Sequence, residues 1–168
     1  NISIRGKTND RSANASIIED GVLVTPAPYT SASAYYFPTT GRINQVEVVK
    51  GPSAITQGPS TIGGAINLIS TPIPSSDEGQ LVQEIGDNGM VRTHAYLGGS
   101  NGTFGALLEM HEHSSDGFDS IANVGGNTGF DKSDFMGKFR YSTGDHELTL
   151  KIVEADEISD QSYVGLSQ

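Results

Sequence analysis

The stretch Phe104-Gly105-Ala106-Leu107-Leu108-Glu109-Met110-His111-Glu112 decides the fold. Successive side chains of an extended chain point to opposite faces. Phe104, Ala106, Leu108 and Met110 therefore share one face, and Gly105, Leu107, Glu109, His111 and then His113 share the other. The same division recurs on both sides of this run. Val91, Thr93, Ala95 and Leu97 oppose Arg92, His94 and Tyr96. Further on, Phe135, Gly137, Phe139 and Tyr141 oppose Asp134, Met136, Lys138 and Arg140, while Leu148, Leu150 and Ile152 oppose Glu147, Thr149 and Lys151. Residues 80–85 give a weaker example, with Gln83 on the otherwise apolar face. A soluble sandwich shows one-sided alternation too. Two features favour a membrane barrel: the polar faces carry several full charges, as a wet lumen allows, and the connections alternate in length. Residues 98–102 and 142–145 read as tight turns, residues 114–132 as a long polar loop.

Upstream, Pro72-Ile73-Pro74-Ser75-Ser76-Asp77-Glu78-Gly79 is a breaker-rich linker between two differently built halves. The net charge of −10 shifts there. Before it, Arg5, Lys7, Arg11, Arg42 and Lys50 nearly balance Asp10, Glu19, Asp20 and Glu47, so the acidic excess lies almost wholly in the second half. The first half reads as short strands around glycine turns. Asn1-Ile2-Ser3-Ile4-Arg5-Gly6 alternates; Ser16-Ile17-Ile18 and Val22-Leu23-Val24 flank Glu19-Asp20-Gly21, where an Asp-Gly pair signals a hairpin. Gln45-Val46-Glu47-Val48-Val49-Lys50-Gly51 predicts a strand, Pro52-Ser53-Ala54-Ile55-Thr56-Gln57-Gly58 one or two helical turns, and Ala65-Ile66-Asn67-Leu68-Ile69-Ser70 a closing strand.

The order of motifs resembles a known family. Ile4-Arg5-Gly6, Glu19-Asp20-Gly21-Val22, Ala27-Pro28-Tyr29, Val48-Val49-Lys50-Gly51-Pro52-Ser53-Ala54 and Gly58-Pro59-Ser60-Thr61-Ile62-Gly63-Gly64-Ala65-Ile66-Asn67 follow one another as in the second half of the plug domain of TonB-dependent receptors. Ala27-Pro28-Tyr29 and Tyr35-Tyr36-Phe37-Pro38 are most similar to the ferric dicitrate and siderophore branch. The family's usual Arg and Tyr are replaced by Lys50 and Gln57, and the opening of the plug and the TonB box have no counterpart here. The resemblance implies a mainly β chain: part of a small α+β plug over residues 1–72, a linker at 73–79, and over residues 80–168 the first about five strands of a transmembrane barrel of about 22. It implies a transporter in the outer membrane of a Gram-negative bacterium, with a ferric chelate as cargo, TonB as energy-coupling partner and lipid around the wall. Other cargoes on the same scaffold, a cobalamin or a glycan, stand as the alternative, and a soluble β-rich binding module as the rival class.

Within that frame, residues 29–40 and 57–61 are expected as plug apices, with Tyr36, Thr39, Arg42, Gln57 and Ser60 as ligand contacts. Arg42 either meets an anionic iron chelate or simply opens the next strand. Arg5 and Lys50 match plug positions that pair with barrel carboxylates and would latch the plug. Other chemistries find little footing. No Cys is present, so disulfides and thiolate sites are excluded. No basic stripe exists to neutralise phosphates, so no nucleic-acid partner is expected. The glycine turn at residues 58–64 lacks the Gly-Lys-Ser/Thr of a phosphate loop. Gly125-Gly126-Asn127-Thr128-Gly129-Phe130-Asp131 is a single, lengthened version of a calcium repeat that works only in stacked copies, so an outer loop is expected. No hydrolase or transferase constellation appears, and neither an enzyme nor a cofactor is expected. Glu109, His111 and His113 line one wall at ligand-like spacing, but a wet lumen accounts for them without a metal, and none is expected. His94 reads as a lumen or plug contact.

Overall fold

A computed structural model describes residues 15–24, 37–58, 61, 63–120 and 126–160. The chain divides into two compact units, Asn1–Pro72 and Ile73–Gln168, and each is described by itself. The expected first strand, residues 1–6, lies outside the described residues.

The first unit holds a four-stranded sheet of β1 (Ala15–Glu19), β2 (Val22–Leu23), β3 (Ile43–Val49) and β4 (Gly64–Ser70), in the order β2-β1-β4-β3. The hairpin joining β1 to β2 is a two-residue turn, with Glu19 opposite Val22. Asp20 and Gly21 both have positive φ, 49° and 82°, the backbone a type I′ turn demands. The pairing of β1 with β4 is parallel, and that of β3 with β4 antiparallel. A 3-10 turn, Pro52–Gln57, occupies the predicted helical segment with Pro in its first turn. Ile18, Ala54 and Ala65 form the buried core, with Leu23 and Val49 packed against it.

The second unit is a meander: β5 (Glu78–Ile85), β6 (Val91–Ser100), β7 (Phe104–Ser115), β8 (Phe130–Thr143) and β9 (His146–Ser159), each antiparallel to the next. From β6 onward the strands run 10 to 14 residues, at or beyond the about 9–11 needed to cross a bilayer at a tilt. The register sets the apolar residues in rows. Leu97 stands opposite Leu108, Ala106 opposite Phe139, Phe139 opposite Leu150, and Tyr141 opposite Leu148.

Two expected boundaries move. Gly98, Gly99 and Ser100, read as turn, continue β6, because the ladder runs on to Ser100 opposite Gly105 and leaves only residues 101–103 to turn. The polar loop shrinks to residues 116–129 at the sheet, since β7 reaches Ser115 and β8 starts at Phe130. At the tight end β8 and β9 are joined by Gly144 and Asp145 alone, Gly144 with φ of 55°, as a glycine-first hairpin turn requires.

Candidate functional site

Of the five expected ligand contacts, Tyr36 and Ser60 lie outside the described residues, as does Arg5 of the expected latch. Thr39 and Arg42 come together on one feature: Thr39 precedes the 3-10 turn Thr40–Arg42, and its carbonyl accepts a 3.2 Å bond from the Arg42 amide. Both side chains are buried. Gln57, half-buried, ends the other turn. Lys50 is exposed just past β3.

Arg42 is the most informative of these residues. Its exposure is 1%, and its guanidinium donates to both oxygens of Glu19, Nε to Oε1 at 3.1 Å and Nη2 to Oε2 at 3.0 Å. A two-pronged bond of this kind is the strong form of the arginine–carboxylate pair. A charge so buried has to be matched in place, since removing either partner leaves the other stranded in a medium that solvates it poorly. The Arg42 carbonyl is also used, accepting from the Thr71 amide at 2.9 Å and the Thr71 hydroxyl at 3.2 Å. Arg42 stands directly before β3, and its fork is paired with Glu19.

Sequence reasoning missed the network around that pair. The amide and hydroxyl of Ser70 both donate to the Asp20 carboxylate, the amide at 2.9 Å. The Gly21 amide donates to Asn67 Oδ1 at 3.1 Å, and Asn67 Nδ2 donates to Glu47 at 3.0 Å. Glu19 and Asp20 are therefore more than hairpin punctuation. They tie the β1–β2 turn to the start of β3 and the end of β4. The available signal was the pairing of two adjacent acids with a lone mid-domain arginine in a nearly neutral half.

In the second unit Glu109, His111 and His113 share one face of β7, as the alternation predicted. Glu109 and His111 are buried, His113 is more open. The register sets His94 opposite His111, and His111 opposite Asp134. His94 Nε2 lies 2.6 Å from Glu109 Oε1, and the His94 and His111 rings are 5.9 Å apart. Around them are bonds between Tyr96 and Glu78, Arg92 and Glu84, Lys132 and Glu157, and Arg140 and Ser100. His113 packs edge-on against Phe130. Among the described residues no three His, Asp or Glu side chains stand where they could hold a metal ion. One oxygen of the Glu109 carboxylate is taken up by the His94 imidazole, and the face is a polar wall.

The opposite face is apolar and open. Leu97 is 67% exposed and Leu148 69%, whereas Leu107 and Met136 on the polar face are fully covered. Phe104 and Tyr141 pair with ring centres 5.0 Å apart at the end that carries the tight turns, the place of an aromatic girdle. No helix among the described residues is long and apolar enough to cross a membrane.

Comparison with known proteins agrees with both units. Residues 1–65 match the family model described as TonB-dependent Receptor Plug Domain. The vitamin B12 transporter BtuB of Photobacterium profundum is 26% identical over 163 residues, 95% of this chain and 26% of its own. Among solved structures, the ferric citrate transporter FecA in unliganded form superposes with a TM-score of 0.73 at 21% identity, over 94% of this chain and 24% of that one. The siderophore receptor PirA from Acinetobacter baumannii gives 0.66 at 18%, over 94% and 25%. The chain thus spans about a quarter of the length of these proteins. Receptors of this family are non-enzymatic and reside in the outer membrane of Gram-negative bacteria. Residues 1–65 thus match the plug domain of TonB-dependent receptors, and the chain as a whole has the fold of the corresponding stretch of FecA and PirA.

Proposed function

We propose that these residues belong to a transporter that takes up a ferric chelate across the outer membrane with energy supplied through TonB. The observation that carries this reading is the inversion of the wall. Leucines and phenylalanines of five strands face outward, while Glu109, His111, Asp134 and Lys138 are buried on the other side. Water penalises that arrangement; hydrocarbon outside and a polar lumen inside stabilise it. In this reading residues 1–72 are the later part of the plug, residues 73–79 the connector and residues 80–168 the first strands of a wall of about 22. Lipid covers the apolar face, and TonB grips a segment outside these residues.

The chelate meets the plug at residues 29–40 and 57–61. Tyr36, Thr39, Gln57 and Ser60 supply its contacts, and Arg42, engaged by Glu19, fixes the turn that carries Thr39. The Tyr, Ser and Thr content of residues 29–40 suits an oxygen-rich iron complex, and FecA and PirA, by name, handle ferric citrate and siderophores. Arg5 and Lys50 latch the plug to barrel carboxylates. One observation favours a second cargo: the sequence likeness to a vitamin B12 transporter. Titrating the purified parent receptor with ferric dicitrate, a ferric siderophore and cobalamin separates the two. Saturable binding of a ferric chelate is expected; binding of cobalamin alone overturns the iron reading.

A further inference from the structure

The connector entering β5 lies against glycines. Gly98 and Gly105 sit on the polar face of β6 and β7, next to their tight turn. A Cβ added to Gly98 would stand 2.8 Å from Pro74 Cδ and 2.9 Å from the Ala106 carbonyl oxygen, and one on Gly105 would stand 3.0 Å from Ile73 Cγ2. On the other face, a Cβ on Gly99 would meet the Asp77 carboxylate and stand 3.1 Å from Asp77 Cα. Three glycines near one turn thus leave room for three different connector residues. Gly137, in the middle of the same sheet, is unlike them: a Cβ there would make ordinary contacts of 3.4 Å and longer. Ser75, Ser76 and Asp77 rim an open groove of about 850 Å³ with Ser100, Phe104 and Arg140.

The geometry points to a seat: we propose that Gly98 and Gly105 hold Ile73 and Pro74 against the polar face, so that the connector stays fixed there and displacement of the plug begins upstream of Ile73. A strand interior is a poor place for glycine on entropic grounds, and close approach of another stretch of backbone is one reason for it to be there. Chain direction adds to the argument. The connector passes residue 74 on the polar face, bends at Ser75 and Ser76 and then enters the ladder with Glu78 opposite Gly98. A pull from the N-terminal side therefore loads the seat before it loads the β5–β6 hydrogen bonds. The seat itself is independent of cargo; its consequence for gating rests on the transporter reading.

The test uses the full-length receptor in its membrane, as wild type and as Gly98→Ala, Gly105→Ala and Gly137→Ala. Two readouts report on the connector: protease cleavage within residues 73–77, and the mobility of a spin label on a cysteine placed at Ser76. Cleavage about tenfold faster and a more mobile label are expected for Gly105→Ala and Gly98→Ala, with Gly137→Ala at the wild-type rate and the barrel's detergent resistance unchanged. Gly105→Ala carries the test alone should Gly98→Ala fail to assemble, because its three nearest neighbours are side-chain atoms of Ile73 and Ser100. Wild-type cleavage and label mobility in folded Gly105→Ala overturn the proposal. An error about cargo shows itself separately, as absent chelate binding with this cleavage pattern intact.

Discussion

Arg42 and Glu19 lie 23 residues apart in sequence and share a bidentate bond. Replacing Arg42 by Met leaves Glu19, its side chain only 11% exposed, without its cation. We expect a loss of about 3–5 kcal/mol in chemical unfolding of the purified receptor's plug. Arg42→Met combined with Glu19→Leu should recover most of it, because an apolar pair of similar size carries no stranded charge. Equal losses in the single and double variants would show that the pair is not the source. The Asp20-Gly21 turn makes a smaller claim. At φ of 82° with open space around it, Gly21→Ala meets no clash and pays only the backbone penalty, about 1–2 kcal/mol. The turn was readable because Asp-Gly chemistry is local. The ion pair was less so: two adjacent acids and a lone mid-domain arginine hint at it, but the parallel register that sets Glu19 opposite Leu68 appears only when the chain is folded.

At the scale of elements, the wall was largely legible. Period-2 alternation assigns each side chain of β6 to β9 to a face without any knowledge of neighbours, and the ladder then aligns the apolar rows. Strand ends were less legible. Gly98 and Gly99 read as turn residues because glycine is a weak strand former, yet cross-strand hydrogen bonding carries them into β6 and the connector uses the space they leave. The two faces predict opposite tolerances. Leu150→Arg, on the apolar face, should cost about 2–4 kcal/mol near the bilayer midplane and lower the amount of assembled receptor in outer-membrane fractions. Lys151→Gln, one residue on and facing the other way, should assemble normally. Equal tolerance at both positions would argue for a soluble sheet.

For the molecule as a whole, the proposed transport requires that plug and wall stay together at rest and part during uptake. Exposed Lys50, together with Arg5, belongs to the proposed latch. Arg5→Met with Lys50→Met should leave chelate affinity within about twofold while changing the uptake rate; lost affinity would remove the latch from the account. The expected contacts at Tyr36 and Ser60 lie outside the described residues. Cargo is the least legible property of the chain, because contacts to a ligand are few and sit in loops that neither periodicity nor register constrains. The central claim, that these strands are part of a membrane wall, has a direct test in the mass and fractionation of the native protein that contains these peptides. A band several-fold heavier than 17.7 kDa, in the detergent-resistant outer-membrane fraction and induced by iron starvation, is the predicted result. A soluble, monomeric species near 17.7 kDa would contradict it.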